Sequence, residues 1–166
     1  MMSSPDMITA IRTAWLHIPP PSSDDLKYMA WGWGEEAWTA FIGVAPMEVN
    51  TSSAGFLACT PLLDLPPIAA AAYLGTYLLS LVEGLEFQET CGIFYDILTR
   101  AHIIHCLSES DFWQNVIRPY LPPECRHTLV KFSSYLASHQ ELLALSQEEI
   151  DLIVSLSKED LPPQVK

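Results

Sequence analysis

Apolar residues along this chain recur mostly at helical spacing. The pattern is broken at four places by one signal, an aliphatic residue followed by two prolines: Ile18-Pro19-Pro20, Leu65-Pro66-Pro67, Leu121-Pro122-Pro123 and Leu161-Pro162-Pro163. Proline cannot continue a helix, yet it suits the first turn of the next one. The four sites therefore divide the chain into helical blocks. In the first block, Pro5 to His17, Ile8, Ile11 and Trp15 share a face and Ser4 stands in the N-cap position. Ser22-Ser23-Asp24-Asp25 has the form of a helix start and predicts a short helix over 26–30. Glu35-Glu36 would favour the N-terminus of another over 35–42 through the helix dipole. The next stretch is weakly patterned. Residues 44–49 read as a brief extended segment and 50–55 as a loop, with a short helix over 53–59 as the alternative.

From Pro67 to Glu83 the chain is apolar nearly all round, the mark of a helix surrounded by others, and Gly84 is placed to end it. The longest apolar stretch, Ile68 to Val82, has 15 residues including Thr76 and Ser80. That is short of the roughly 20 needed to cross a bilayer, so a buried core helix is expected. A second long helix is expected over 92–107, with Ile93, Ile97 and Ile104 inward. Ser110-Asp111 caps a shorter one to Arg118, stopped by Pro119. Pro123 to His139 follows with a stripe of Leu129, Phe132 and Leu136. Ser146 to Glu149 spells a capping box before Ile150, Ile153 and Val154, and the polar stretch 157–166 is expected to fray. No convincing pair of alternating strands is present. The expectation is an all-α single domain over residues 1–166, a bundle of about seven helices.

Composition supports one sizeable core. The chain has 166 residues, 49% of them hydrophobic, and its 13 prolines against 7 glycines favour rigid connections over floppy linkers. The first residues carry neither a basic cluster nor an apolar run, so no secretory signal is read there and a cytoplasmic location is expected. Cys59, Cys91, Cys106 and Cys125 are widely spaced without C-x-x-C, which suggests reduced, buried thiols. Charge changes the picture most. Twenty acidic residues face eight basic ones, for a formal net charge of -12. Such a surface repels polyanions, which points away from DNA, RNA and anionic lipid and toward a basic partner or a cationic ligand.

Candidate chemistry is thin. His102 and His105, with Cys106 beside them, lie at i, i+3 on a predicted helix and share a face. A closed zinc site would also need distant ligands such as Cys125 and His127, and no standard zinc spacing is present, so no metal or cofactor is expected. Ser52-Ser53-Ala54-Gly55 lacks the nucleophile-elbow pattern, and Gly32-Trp33-Gly34 is followed by two glutamates that would repel phosphate. Two groups remain as contact candidates. Trp31 and Trp33 sit beside Glu35 and Glu36, with Trp38 expected to pack inward. Tryptophan is enriched at binding hot spots, and rim acids steer a basic partner. Glu83, Glu86 and Glu89 bracket a predicted helix–helix turn and could meet Arg and Lys of a partner.

Three segments carry a family resemblance. Ile11-Arg12-Thr13-Ala14-Trp15 through Ile18-Pro19-Pro20-Pro21 resembles the opening helix and proline exit of a small bacterial family of uncharacterised proteins. Leu65 to Leu79 is similar to that family's central helix, with Gly75 where the family commonly has proline. Leu121-Pro122-Pro123-Glu124-Cys125-Arg126 resembles its late helix start, with Cys125 in place of glutamine. The resemblance implies an all-helical fold and brings no catalytic residues. In size and acidity the chain is also similar to immunity proteins encoded beside polymorphic or type VI secreted bacterial toxins. The resulting expectation is a non-enzymatic inhibitor that binds a cognate basic toxin domain through Trp31, Trp33, Glu35, Glu36, Glu83, Glu86 and Glu89. The alternatives are an adaptor or chaperone for a secreted effector, and a small metal-dependent enzyme using His102 and His105.

Overall fold

Ser3 opens the first helix, one residue earlier than the pattern suggests. In the computed structural model, which describes residues 1–26, 41–51, 62, 65–91 and 97–159 (without the side chains of 89–91 and 97–99), α1 spans Ser4–Trp15. Ser3 Oγ accepts from the Asp6 amide at 3.3 Å, satisfying a first-turn donor. Ser4 is drawn inward instead, because the buried face of α1 runs through Ser4, Met7, Ile11 and Trp15. Its hydroxyl shares a 2.8 Å hydrogen bond with that of Tyr135. Met7 takes the core place expected of Ile8, which is only partly buried.

The remaining helices are α2 (Pro67–Cys91), α3 (Ile97–Ser108), the composite α4 over 110–120, α5 (Pro123–Ser138), α6 (Gln140–Leu143) and α7 (Gln147–Lys158). Among the described residues there is no strand, and the fold is all-α. Pairwise packing closes a ring: α2 on α1, α1 on α5, α5 on α7, α7 on α3, and α3 back on α2. α4 lies against α2.

Pro67 starts α2 as its position after Leu65-Pro66 predicts, but Gly84 does not end it. Leu81, Val82 and Leu85 continue one buried surface across the glycine, and Gly84 has no positive φ. Burial outweighs the modest helix penalty of glycine, about 1 kcal/mol. α2 therefore outruns the 15-residue apolar stretch. Over Pro67–Gln88 it is long and apolar enough to span a bilayer by length and composition, with 78% of its most apolar window buried against the rest of the chain. That burial is what a core helix has.

Two features of α2 set its neighbours. Gly75 gives Trp15 its place: a Cβ there would stand 2.4 Å from Trp15 Cγ. Tyr73 and Thr76, one turn apart, hold the segment 41–48. The Tyr73 hydroxyl donates to the Phe41 carbonyl at 2.7 Å, with the Val44 carbonyl at 3.1 Å as a second acceptor. Thr76 Oγ1 donates to the Pro46 carbonyl at 2.6 Å. Here the expected extended segment is instead a 3-10 turn, Pro46–Glu48, because proline fixes a turn-like φ and the Glu48 amide closes on the Ala45 carbonyl at 2.9 Å. Just before it, Phe41 is helical, Gly43 takes a φ of 67°, and the Val44 amide bonds back to the Phe41 carbonyl at 3.1 Å. The predicted helix end near Ile42 agrees. Its body lies outside the described residues, as do 27–30 and 53–59. The Ser22 to Asp25 start is formed: Ser22 Oγ accepts from the Asp25 amide at 3.2 Å, and Asp25 accepts from the Ser22 amide at 3.1 Å.

Pro119 does not stop α4. Upstream, Trp113–Ile117 widens to π-helical geometry, with the Arg118 amide reaching the Trp113 carbonyl, and the helix resumes over Arg118–Tyr120. The wider turn accommodates a proline that has no N–H to give and whose ring crowds the preceding turn. α5 begins at Pro123 and buries Leu129, Phe132 and Leu136 as expected. The Ser146–Glu149 capping box is fully formed. Frayed behaviour does not begin at Ser157, which is helical and buried, with its hydroxyl 3.1 Å from that of Ser133. Residues 160–166 lie outside the described ones.

Glu149 gives a pH-dependent signature. Hydrogen bonds from the Ser146 backbone amide and hydroxyl hold its carboxyl below the ordinary range. A carboxyl depressed in the folded state contributes stability above its unfolded pKa and loses it as pH falls through the folded value. Ser146→Ala should therefore lower stability by about 1 kcal/mol near neutral pH. It should also flatten the acid limb of a stability-versus-pH curve, measured by urea unfolding from pH 7 to pH 3. An unchanged acid limb would contradict this.

Candidate binding surface

The sequence-derived contact residues divide into those the described structure places and those it does not. Trp31, Trp33, Glu35 and Glu36 lie outside the described residues, and Glu89 is placed on α2 by its backbone alone. Glu83 and Glu86 do not bracket a turn, because α2 continues through Gly84; they sit at i, i+3 on one helix. Glu83 Oε1 meets Arg12 Nη2 at 3.2 Å, joining α2 to α1, with 40% and 53% of the two side chains exposed. An exposed pair of this kind contributes only about 0.2–1 kcal/mol. Glu86 is half-buried and lines a recess of about 440 Å³ with Met1, Met2, Ser3, Pro5 and His139. The His139 ring packs 4.1 Å from that of Tyr135.

His102 and His105 have different partners. His102 Nε2 accepts from the Leu62 amide at 2.7 Å and lies 3.6 Å from Cys106 Sγ. An amide donor occupies that ring nitrogen, which as an acceptor holds no proton of its own. His105 faces solvent, with Nδ1 3.8 Å from Glu109 Oε1. Of the possible distant ligands, Cys125 is buried with Sγ donating to the Ala14 carbonyl at 3.2 Å, and exposed His127 meets the Pro123 carbonyl. Among the described residues no group of three or more His, Cys, Asp or Glu is gathered.

Cys106 and Cys125 are free and buried, as expected of them from the sequence. Burial pushes the Cys106 and Cys125 thiols up to about 12, so neither is a thiolate near neutral pH. In native protein at pH 8, both should resist iodoacetamide for as long as the fold survives, and urea should release them together. Peptide mapping by mass spectrometry reads this site by site. Rapid labelling of Cys106 in folded protein would refute it.

Carboxylates are spread over the outside. No Asp or Glu whose side chain is described is buried; Glu86 borders the recess above and Asp25 an apolar cleft. An apolar opening lies elsewhere among the described residues. A cleft of about 380 Å³ is lined by Ile18, Pro19–Pro21 and Asp25 from the first proline turn, Ile68 and Ala72 from α2, and Pro119–Leu121 from the end of α4. One aliphatic-Pro-Pro motif, Ile18-Pro19-Pro20, thus lines the cleft whole, beside Ile68, which follows the second motif, and Leu121, which opens the third. Sequence reasoning read each only as a helix boundary; their shared aliphatic-Pro-Pro form was the available signal.

With fold and surface described, no family model, curated protein or solved structure was found to match the chain.

Proposed function

We propose that this protein is an immunity-type inhibitor that binds a cognate basic toxin domain in the bacterial cytoplasm and covers its active site without turnover. The observation that carries the reading is the charge: -12 overall, with every described carboxylate at least partly open to solvent. A field of that sign speeds capture of a cationic partner and disfavours nucleic acid. A scaffold of helices bounded by prolines adds a pre-organised surface, which lowers the ordering cost of binding.

The apolar cleft favours a second reading, an adaptor or chaperone that holds a secreted effector through an exposed hydrophobic surface. Co-expression with the product of the adjacent gene separates the two. An inhibitor abolishes that product's toxicity and co-purifies with it as an inactive complex. An adaptor co-purifies with an active effector and is needed for its solubility or export. Toxicity that persists in a co-purified complex sinks the inhibitor reading.

A further inference from the structure

The functional reading leaves the proline motif unused, yet the fold gathers it. Ile18 and Pro19–Pro21, Ile68 just after Pro66-Pro67, and Leu121 just before Pro122-Pro123 all line the one cleft. The same place leaves apolar side chains in solvent, with Ile68 41% and Tyr120 48% exposed. Its polar groups are only partly used. Tyr120 spends its hydroxyl on no described residue. The Ser22 amide and hydroxyl both donate to Oδ2 of the Asp25 carboxylate, which leaves Oδ1 open among the described residues. Asp25 is also the one charged side chain among the described lining.

We propose that this cleft docks an extended, proline-containing segment of a basic protein partner. An aliphatic side chain of that segment packs against Ile68 and the proline rings, and an arginine or lysine meets Asp25 Oδ1. Charge complementarity selects this occupant: the lining carries only a negative charge, on a chain of -12. A second copy would bring the same excess of negative charge and be repelled. Backbone geometry agrees. The described residues present no strand edge for an incoming strand, whereas a polyproline-type segment keeps its own backbone solvated and docks through rings and side chains. The proposal rests on the reading that the partner is a basic protein, and applies to an inhibitor or an adaptor alike.

The test titrates the full chain into a fluorescein-labelled acetyl-Arg-Pro-Leu-Pro-Pro-Leu-Arg-amide peptide and reads anisotropy. Saturable binding is expected, at least tenfold weaker for the counterpart with both arginines replaced by glutamate. Ile68→Ala/Tyr120→Ala should cost another tenfold, and Asp25→Asn, which keeps an acceptor for the Ser22 cap, should erase the preference for arginine. Phe87→Ala, an exposed apolar residue of α2 outside the cleft lining, should change nothing. Absence of saturable binding overturns the proposal, as does equal loss in Phe87→Ala. Self-association abolished by Ile68→Ala/Tyr120→Ala would instead assign the cleft to a second copy. A tenfold gain on truncation after Glu159 would assign it to the chain's own end. Neutralisation of the neighbouring toxin is scored separately: if it persists without peptide binding, the cleft assignment fails and the inhibitor reading stands.

Discussion

Gly75→Ala is expected to destabilise the protein by about 1–2 kcal/mol, although alanine is the better helix former. The gain in helix propensity is about 1 kcal/mol. Against it stands a Cβ placed 2.4 Å from Trp15 Cγ and 2.5 Å from Cδ2, inside any tolerable contact. Trp15 is fully buried where α1 meets α2, so the ring cannot swing into solvent. Overpacking a core costs about 1–3 kcal/mol and occasionally more. For a chain of this size the loss should lower Tm by about 2–8 °C. The indole N–H finds no partner among the described residues, so shape alone holds the ring. Trp15→Leu should therefore relieve the clash, and the Gly75→Ala/Trp15→Leu pair should show favourable coupling of about 0.5–3 kcal/mol. Calorimetry of the four proteins in that cycle checks it. A rise in Tm for Gly75→Ala alone would show that the helices are spaced more widely at this crossing.

Removing the two hydroxyls that tie the 41–48 segment to α2, with Tyr73→Phe and Thr76→Val together, should cost about 3 kcal/mol. Both side chains are essentially inaccessible, and both serve backbone carbonyls rather than water. Leaving the Pro46 carbonyl without its donor costs about 1–3 kcal/mol, and the Phe41 carbonyl, which keeps the Val44 amide, loses a hydrogen bond worth about 0.5–1.5 kcal/mol. The phenol is fixed as a neutral donor, since burial pushes its pKa further up from an already alkaline value. The Phe41 ring packs edge-on against that of Tyr73 at 4.8 Å, a contact that Tyr73→Phe preserves, so the loss reports the hydroxyls. Hydrogen exchange localises it: the Val44 and Glu48 amides should lose protection while those of α5 keep theirs. Uniform loss across all helices would mean that the segment and the bundle unfold as one unit.

The sequence conveyed local signals faithfully where nothing distant competed with them. Pro67 and Pro123 open their helices, and Ser146 with Glu149 closes a complete capping box, because each depends on neighbours within one turn. Misses arise where packing overrides a local preference. Gly84 carries a helix onward because Leu85 is wanted inside, and Pro119 survives because the preceding turn widens. Ser4 leaves the cap to Ser3 in order to reach Tyr135, 131 residues away. The site was less legible than the fold. Pairing His102 required knowing that Leu62, in a weakly patterned stretch, lies against α3. The proline cleft required knowing that three boundaries separated by about a hundred positions share one corner, which no spacing rule conveys.

The closed ring of helices bears on how the molecule is made. α1, the first of the described helices to be synthesised, is wedged between α2 and α5, and its Ser4 cannot meet Tyr135 until α5 has emerged. A nascent chain must therefore carry part of the buried face of α1 uncovered until then. Long-range closure of this kind slows folding and leaves sticky intermediates. Ribosome-bound chains halted before α5 should accordingly recruit holdase chaperones through α1, and that dependence should vanish once α5 is free to dock.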